Sequence, residues 1–307
     1  MITAAMSAPV SAIISDRRHV LKLLSLTICL LLGAALTAHA SVFARFADAN
    51  GASHYAEVNG ATLSVLTAAP WNGGQPTGAT IPVDQAHLLP PTEPRNVIGL
   101  AKAYAGKDPH PPKTISWFAK SPSAPAANGE DVPIPPVVAA LKVEVELVII
   151  IGKRVKSASS EEARAAIFGY CTGTEIFGFT QTFHQVHGEA DQDNEGMLPA
   201  GLKLGDKMAP YGPYIHTNVD WRGRARTLRV IAPDGQVSAE YHNSTDGLLY
   251  SPEEIVRQLS QLQTLEAGDV IFSGTTKSFI VHAGDVVETE IAGLGKLRNR
   301  IVASPTR

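Results

Sequence analysis

Glu144 and Glu146 are the residues whose type and spacing most need a chemical explanation. They stand two positions apart in the run 143–151, whose β-branched and apolar content predicts a strand. Residues two apart on a strand project from one face, so the two carboxylates are neighbours and repel each other. A hard divalent cation with oxygen ligands would relieve that repulsion. The alternative is a solvent-wetted strand face, with Glu144 beside Lys142.

Further positions could complete a site around these carboxylates. Glu175 follows a short predicted helix and is expected in a loop. Lys203 and Lys207 precede a proline-rich turn, and either could stabilise developing negative charge. Gly274 and Thr275 directly follow an apolar strand, where backbone N–H groups and a hydroxyl can hold a carboxylate. Surface charge and a plain turn are the alternative interpretations of these positions.

Several familiar motifs are absent from the sequence. The acidic run 191–196 begins like a calcium loop, but its twelfth position is Leu202 rather than Glu. No phosphate-binding loop, G-x-S-x-G or H-E-x-x-H motif occurs. A net charge of −3 gives no general attraction for nucleic acid or acidic membranes. A small-molecule enzyme and a ligand-binding protein remain as function classes.

Residues 1–40 are predicted to be a signal peptide rather than part of the fold. The pair Arg17-Arg18 precedes the apolar run 23–36, and a small-x-small cleavage pattern ends at Ala40. The paired arginines are similar to a twin-arginine export signal, with an ordinary secretory signal as the alternative. Cleavage after Ala40 predicts a periplasmic or secreted protein with no membrane attachment.

The rest of the chain predicts an α+β, mostly β fold. In the segment 41–95, short apolar runs are separated by Asn-Gly dipeptides at 50–51 and 59–60. The next segment, 96–141, is rich in proline, which favours an extended and irregular backbone. Beyond it the order of strands, interrupted by short helices capped by Ser159 and Ser251, lacks the regular alternation of a doubly wound sheet.

Taken in order, these segments resemble the fumarylacetoacetate hydrolase family. The resemblance is weak before residue 95 and strong from about residue 111. Its anchors are Pro112 and the segments 118–124, 143–147, 151–153, 168–170, 203–213, 243–245, 265–271, 274–275 and 283–287. The resemblance implies a mixed β-roll over 96–307, with a lid within 96–141 and a small β-rich N-terminal domain over 41–95. Members of the family are usually homodimers.

The resemblance also implies a metal site. Family members bind Mg²⁺, Mn²⁺ or Ca²⁺ through a Glu-x-Glu pair and a later acidic residue. These ligands correspond to Glu144, Glu146 and Glu175, with Mg²⁺ as the expected ion. The family residue at the third position is usually Asp, so Glu175 is one methylene longer.

The substrate side of the site follows from the same resemblance. The family lysine near the substrate corresponds to Lys203 rather than Lys207. Thr275, beside Gly274, matches the threonine that contacts a substrate carboxylate. The implied activity is metal-dependent hydrolysis of a C–C bond in a 2-oxo or β-dicarbonyl acid such as an acylpyruvate. Decarboxylation or isomerisation of a 2-oxo acid, and a non-catalytic periplasmic binding protein, are the alternatives.

The sequence departs from the family pattern at two positions. The segment 99–110 lacks the family's Gly-x-Asn-Tyr motif and the lid histidine that activates water. His110 is the candidate that could replace this histidine, although prolines flank it. The family arginine after the third ligand falls on Phe179. The scaffold and the metal are therefore better supported than hydrolysis itself.

Overall fold

The computed structural model describes residues 40–105, 113–179 and 202–304. Strands predominate over helices in these ranges and form two sheets, so the predicted α+β, mostly β class is confirmed. Most strand pairs are antiparallel, but β6–β15, β8–β12 and β9–β18, defined below, are parallel, which makes the sheets mixed.

Eighteen strands and two α-helices are found within the described ranges. The strands are β1 Val42–Ala47, β2 Ser53–Asn59, β3 Thr62–Leu66, β4 Pro76–Pro82, β5 His87–Leu89, β6 Val97–Ala101, β7 Ser116–Lys120, β8 Pro125–Ala126, β9 Val132–Pro133, β10 Leu141–Ile151, β11 Ile167–Phe177, β12 Ala209–His216, β13 Ala225–Ile231, β14 Val237–Ser244, β15 Val270–Phe272, β16 Phe279–Val281, β17 Val286–Ile291 and β18 Gly295–Val302. The helices are α1 Ser160–Ala166 and α2 Pro252–Leu262.

The larger sheet contains strands from the segment 41–95 and from the segment 96–307. Its main order is β4-β3-β2-β1-β12-β11-β10-β15-β6-β7, with β5, β8 and β16 paired at its side. In this order β1 hydrogen-bonds to β12, so strands of the segment 41–95 continue the sheet that contains β10 and β11. The smaller sheet has the order β14-β13-β17-β18-β9.

Both helices begin at the capping serines that the sequence indicates. Ser159 accepts a hydrogen bond from the Glu162 N–H, and the Glu162 carboxylate accepts one from the Ser159 N–H, which completes a capping box. Ser251 caps α2, where Pro252 occupies the first turn. No helix in the described ranges is long and apolar enough to cross a membrane.

Apolar clusters cover both faces of β10, which places this strand at the centre of the fold. Val145 and Leu147 belong to the main cluster on one face. Val148 and Ile150 belong to a second cluster on the other face. Glu144 and Glu146 lie on the face of the second cluster, because residues alternate along a strand. The two glutamates therefore lie next to the second apolar cluster on the same face of β10.

Candidate metal and substrate site

The strand pair β10–β11 brings three carboxylates onto one face. In its register Glu144 lies opposite Glu175, and Glu146 lies opposite Gly173. Directly opposite residues of an antiparallel pair share a face, so Glu175 joins the two glutamates of β10. Ligand oxygens of the three side chains lie within 4.8 Å of one another. The structure thus brings together the three residues that the resemblance selected as metal ligands.

The burial of these carboxylates excludes a solvent-wetted strand face. Glu146 is 1% exposed and Glu175 is 0% exposed, while Glu144 is half-buried. The prediction that Glu175 lies in a loop is wrong, because it lies inside the strand β11. Gly173 in the same strand is required by packing, since a Cβ there would collide with Val148.

Without a cation, burial and neighbouring negative charge disfavour the ionised forms of Glu144 and Glu146. Burial raises the pKa of Glu146 well above its ordinary range, and the negative charges of Glu144 and Glu175 add to this effect. Burial, followed by the charge of Glu175, raises the pKa of Glu144 to about 7. Converging carboxylate oxygens are the donors that hard divalent cations prefer. A divalent cation would stabilise the ionised form of all three groups.

Two lysines hold Glu175, one at each carboxylate oxygen. Lys120 Nζ donates to Glu175 Oε1 at 2.7 Å and to the carbonyl of Ile176 at 2.9 Å. Lys203 Nζ donates to Glu175 Oε2 at 2.7 Å. The side chain of Lys120 is 0% exposed, whereas that of Lys203 is 21% exposed. Lys203 is therefore the lysine of this pair that a ligand entering from solvent can reach.

Aromatic rings fix the Lys203 ammonium. Its Nζ lies 3.4 Å from the ring centre of Phe177 and 4.4 Å from that of Phe118. The negative face of an aromatic ring attracts a cation, so these contacts hold the ammonium in place. The ring of Phe118 packs directly on Gly99, where any Cβ would collide with it. Lys203, the residue predicted to be the family lysine, thus places an ordered ammonium group beside the carboxylates.

The turn after β15 supplies backbone and hydroxyl groups to the same site. The Gly274 N–H donates to Glu146 Oε2 at 2.7 Å. Gly274 has a φ of +86°, and a Cβ there would lie 3.1 Å from the carbonyl oxygen of Leu100, so the turn requires glycine. The Thr275 hydroxyl is buried and has no hydrogen-bond partner within the described ranges. This hydroxyl is available to a ligand.

Arg226 on β13 adds a buried cation next to this turn. The residue is 0% exposed. Its Nε donates to Asn243 Oδ1 at 2.8 Å, and its Nη1 donates to the carbonyls of Gly274 at 3.2 Å and Val145 at 3.4 Å. The guanidinium carbon lies 4.0 Å from the ring centre of Tyr104. Arg226 therefore supports the Gly274 turn through the carbonyl of Gly274, while the N–H of the same residue bonds to Glu146.

Lys120 and Arg226 are site residues that the sequence patterns did not single out. Lys120 enters the resemblance only as part of the anchor 118–124. The sequence does contain a signal for Arg226. Residues alternate between the two faces of a strand, so Arg226 shares a face with Leu228 and Val230, and a cation is placed among buried apolar residues. A charged residue at an inward position of a predicted strand is worth selecting on that ground alone.

Comparison with known proteins assigns the chain to a family. A family model described as Fumarylacetoacetate (FAA) hydrolase C-terminal matches residues 95–302, more than half of the chain. The chain belongs to the fumarylacetoacetate hydrolase family. A second model, described as Rv2993c-like, N-terminal, matches residues 43–91. The family resemblance in the sequence is thereby confirmed.

Relatives within the fumarylacetoacetate hydrolase family carry the names of different enzymes. A 4-hydroxyphenylacetate degradation bifunctional isomerase/decarboxylase from Salmonella dublin is 31% identical over 195 residues, which cover 62% of this chain and 42% of the relative. The chain thus spans less than half the length of that relative. Family membership makes this protein similar to enzymes without selecting one reaction.

Solved structures share the fold of this chain. The crystal structure of 2-hydroxyhepta-2,4-diene-1,7-dioate isomerase from Mycobacterium marinum has a TM-score of 0.73 and 26% identity, and it covers 87% of this chain and 100% of that chain. Maleylpyruvate hydrolase from Sphingobium sp. SYK-6, in complex with manganese(II) ion and pyruvate, has a TM-score of 0.64 and 23% identity, covering 86% and 99%.

Three other residues were considered in the comparison with the family pattern: Lys207, Phe179 and His110. Lys207 Nζ donates to Glu130 Oε1 at 3.1 Å, which favours Lys203 as the family lysine. Phe179 stands at the family's arginine position, and its ring centre lies 4.5 Å from Lys142 Nζ. His110 lies outside the described residues, so its catalytic role stays a prediction.

Proposed function

We propose that this protein is a divalent-metal-dependent hydrolase that cleaves a C–C bond of an acylpyruvate-like 2-oxo acid, with Mg²⁺ as its ion. The observation that carries the proposal is the convergence of Glu144, Glu146 and Glu175 beside Lys203 and the Gly274 turn. Family membership supports an enzyme, while the reaction and the metal are inferred from this site.

The residues present fit a divalent cation. The three carboxylates supply oxygen donors only, and burial together with mutual repulsion raises the pKa values of Glu144 and Glu146. Lys120 and Lys203 neutralise part of this charge at Glu175, and the remaining negative charge of the three carboxylates is what a divalent cation would balance. When bound, the cation would polarise the substrate carbonyl and favour the enolate form of the leaving group.

The chain's own residues supply the other parts of the reaction. The Lys203 ammonium, fixed by its rings and by Glu175, lies where it can stabilise negative charge that develops on a substrate oxygen. The Gly274 N–H orients Glu146, and the Thr275 hydroxyl donates to a substrate carboxylate. Hydrolysis also needs a group that activates water, for which His110 is the predicted residue.

Isomerisation or decarboxylation of a 2-oxo acid is the second candidate. It is favoured by the absence of the family's lid histidine motif from the segment 99–110 and by the name of the Salmonella dublin relative. Both reactions use the same stabilised enolate but need no attacking water. The metal and Lys203 would keep their roles in either case.

The metal part of the proposal is tested by binding and stability. In Mn²⁺ titrations followed by electron paramagnetic resonance, Glu146→Gln is expected to weaken binding at least about 100-fold, because a buried charged donor is lost. The matched control is Glu290→Gln, an exposed strand glutamate. Equal Mn²⁺ affinity in wild type and Glu146→Gln would refute the metal site.

The reaction is tested with the Mg²⁺-loaded protein and a panel of acylpyruvates and oxaloacetate. Pyruvate together with a second carboxylic acid indicates hydrolysis, CO₂ indicates decarboxylation, and a shifted absorbance without either product indicates isomerisation. Metal binding without turnover of any substrate above the blank would favour the non-catalytic binding protein.

We also propose export with cleavage after Ala40 and assembly as a homodimer. The Ser41 N–H donates to Thr217 Oγ1 at 3.1 Å, and the Thr217 N–H donates to the Ser41 carbonyl at 3.0 Å. A cut after Ala40 leaves both of these groups on the mature chain. Mass spectrometry of the periplasmic fraction tests the cut, and light scattering of the mature protein tests the dimer.

A further inference from the structure

Arg226 carries a hydrogen-bond donor that the described structure leaves unused. Three of its contacts engage Nε and Nη1, but Nη2 is buried without a partner in the described ranges. A buried donor of a charged group that finds no acceptor is costly, so native structures rarely retain one. The unused Nη2 therefore calls for an acceptor that a bound molecule would bring.

The Thr275 hydroxyl is a second unused group at the same turn. It is buried without a partner, as Nη2 of Arg226 is. The two groups are connected through Gly274, whose carbonyl accepts from Arg226 Nη1 and which directly precedes Thr275 in the chain. One unused donor thus belongs to the turn and the other to a side chain held against it, and two such donors match the two oxygens of a single carboxylate.

The charges of the site favour an anion at this position. Glu175 has two ammonium partners, Lys120 and Lys203. By contrast, no carboxylate within 40–105, 113–179 and 202–304 forms an ion pair with Arg226. The guanidinium is held by carbonyls, an amide and the ring of Tyr104, none of which carries a negative charge. Glu146 acts on the guanidinium electrostatically but makes no hydrogen bond to it in the described ranges, so a hydrogen-bonded anionic partner can come from a ligand.

We propose that Arg226 is a specificity residue for the substrate carboxylate: its Nη2 donates to one oxygen of the carboxylate, while the other oxygen accepts from the Thr275 hydroxyl, the contact that the family resemblance implies. The inference rests on the proposed function, because it takes the carboxylate to be that of a 2-oxo acid bound beside the metal. Arg226 from β13 would then supply a cation to a site whose family arginine position is occupied by Phe179.

This carboxylate subsite of Arg226 and Thr275 predicts discrimination between a carboxylate and its uncharged amide. Calorimetric titration of the Mn²⁺-loaded mature protein with pyruvate and with pyruvamide measures this directly. Arg226→Met is expected to weaken pyruvate binding about 10- to 100-fold and to change pyruvamide binding less than about threefold. Arg229→Met, on the same strand but paired with the surface residue Glu240, is the matched control and should change neither.

If Arg226→Met does not fold, the same titration can be made with Thr275→Val and Arg226→Lys. Thr275→Val removes the hydroxyl at nearly constant volume and should weaken pyruvate binding about 5- to 10-fold. Because both side chains bind one carboxylate, the loss in the double variant Arg226→Lys/Thr275→Val should be smaller than the product of the two single losses. Independent losses would mean that the residues do not share a ligand.

Other outcomes separate this subsite from its alternatives. Equal losses of pyruvate and pyruvamide affinity in Arg226→Met, or weakened Mn²⁺ binding, would show that Arg226 only supports the Gly274 turn and would overturn the subsite. Wild-type protein that binds neither ligand, or both alike, would overturn it as well. If pyruvate discrimination depends on Arg226 while no acylpyruvate is turned over, the subsite stands and the proposed hydrolase fails.

Discussion

One face of the β10–β11 pair carries a charged region at one end and an apolar region at the other. Glu144 and Glu175 lie opposite each other at the charged end. Val148 and Cys171 lie opposite each other at the apolar end, where Ile150 continues the face. The hydrogen-bonded ladder is the same in both regions, so the side chains alone make the difference.

The comparison indicates that the apolar end contributes to the stability of the fold and the charged end to ligand binding. Apolar side chains at one end are fully buried and stabilise the fold without any ligand. The glutamates Glu144 and Glu146 at the other end are largely buried too, but desolvation and neighbouring negative charge oppose their ionised form, which a bound cation would favour. Changes at the apolar end should therefore affect unfolding, and changes among the carboxylates should affect ligand binding.

Lys120→Met tests whether the buried ion pair with Glu175 stabilises the fold at the charged end. Lys120 and Glu175 are both fully buried, and without Lys120 the Oε1 of Glu175 loses its ammonium partner, which leaves Lys203 alone beside three carboxylates. The free energy of unfolding is expected to fall by about 3–5 kcal/mol in urea denaturation. Adding Glu175→Gln should restore part of this loss. No recovery in the double variant would argue against the ion pair as the cause.

Ile150→Ala tests the apolar end. Ile150 is 0% exposed and packs in the second apolar cluster, so truncation leaves a cavity. The free energy of unfolding should fall by about 2–4 kcal/mol, whereas Mn²⁺ affinity stays within about twofold of wild type. Urea denaturation and metal titration of the same preparation measure both. A large loss of metal affinity would show that the two regions are coupled.

The sequence predicted the elements at both ends of this face for a physical reason. The alternation of residues in 143–151 determines which side chains share a face, and that information is local. Capping residues at Ser159 and Ser251 are local as well. The strand β10, the paired glutamates and the starts of both helices could therefore be identified without knowledge of the tertiary structure.

The partners of these glutamates depend on contacts that are distant in sequence. Lys120 is 55 residues from Glu175, and Arg226 is 48 residues from Gly274, so no local pattern links them. The segment before Glu175 has the glycine and threonine content of a loop, but Gly173 is there because Val148 and Phe272 leave no room for a Cβ. Close packing of this kind cannot be distinguished from a turn in a single sequence.

The pH dependence of stability should differ between metal-free and metal-bound protein. The pKa of Glu144 is raised to about 7 in the folded chain from an ordinary value of 4.5, so between these values the folded state holds a proton that the unfolded chain has lost. Stability therefore falls as the pH rises through this window. In EDTA, the free energy of unfolding should drop by about 2 kcal/mol from pH 5 to pH 8.

Saturating Mg²⁺ should remove or reverse this decrease, because the cation stabilises the ionised carboxylates. Urea denaturation at both pH values, with EDTA and with Mg²⁺, provides the comparison. The other groups that face Glu144 are Glu146, Glu175, Lys120 and Lys203, and the raised pKa of Glu146 acts in the same direction. The same pH dependence with and without the cation would contradict this account of the charged end.

Glu144→Gln should give the smallest effect and the sharpest distinction between the two regions. The substitution keeps the shape of the side chain but removes one negative charge from a cluster in which Glu146 and Glu175 oppose it. In EDTA at pH 8 the variant is expected to be as stable as wild type or up to about 1 kcal/mol more stable, and at pH 5 the two should be equal. In Mg²⁺ the order reverses, because wild type gains binding energy that the variant has lost. A variant less stable than wild type in EDTA at pH 8 would mean that Glu144 stabilises the fold, as Ile150 does, and that the charged end is not reserved for a ligand.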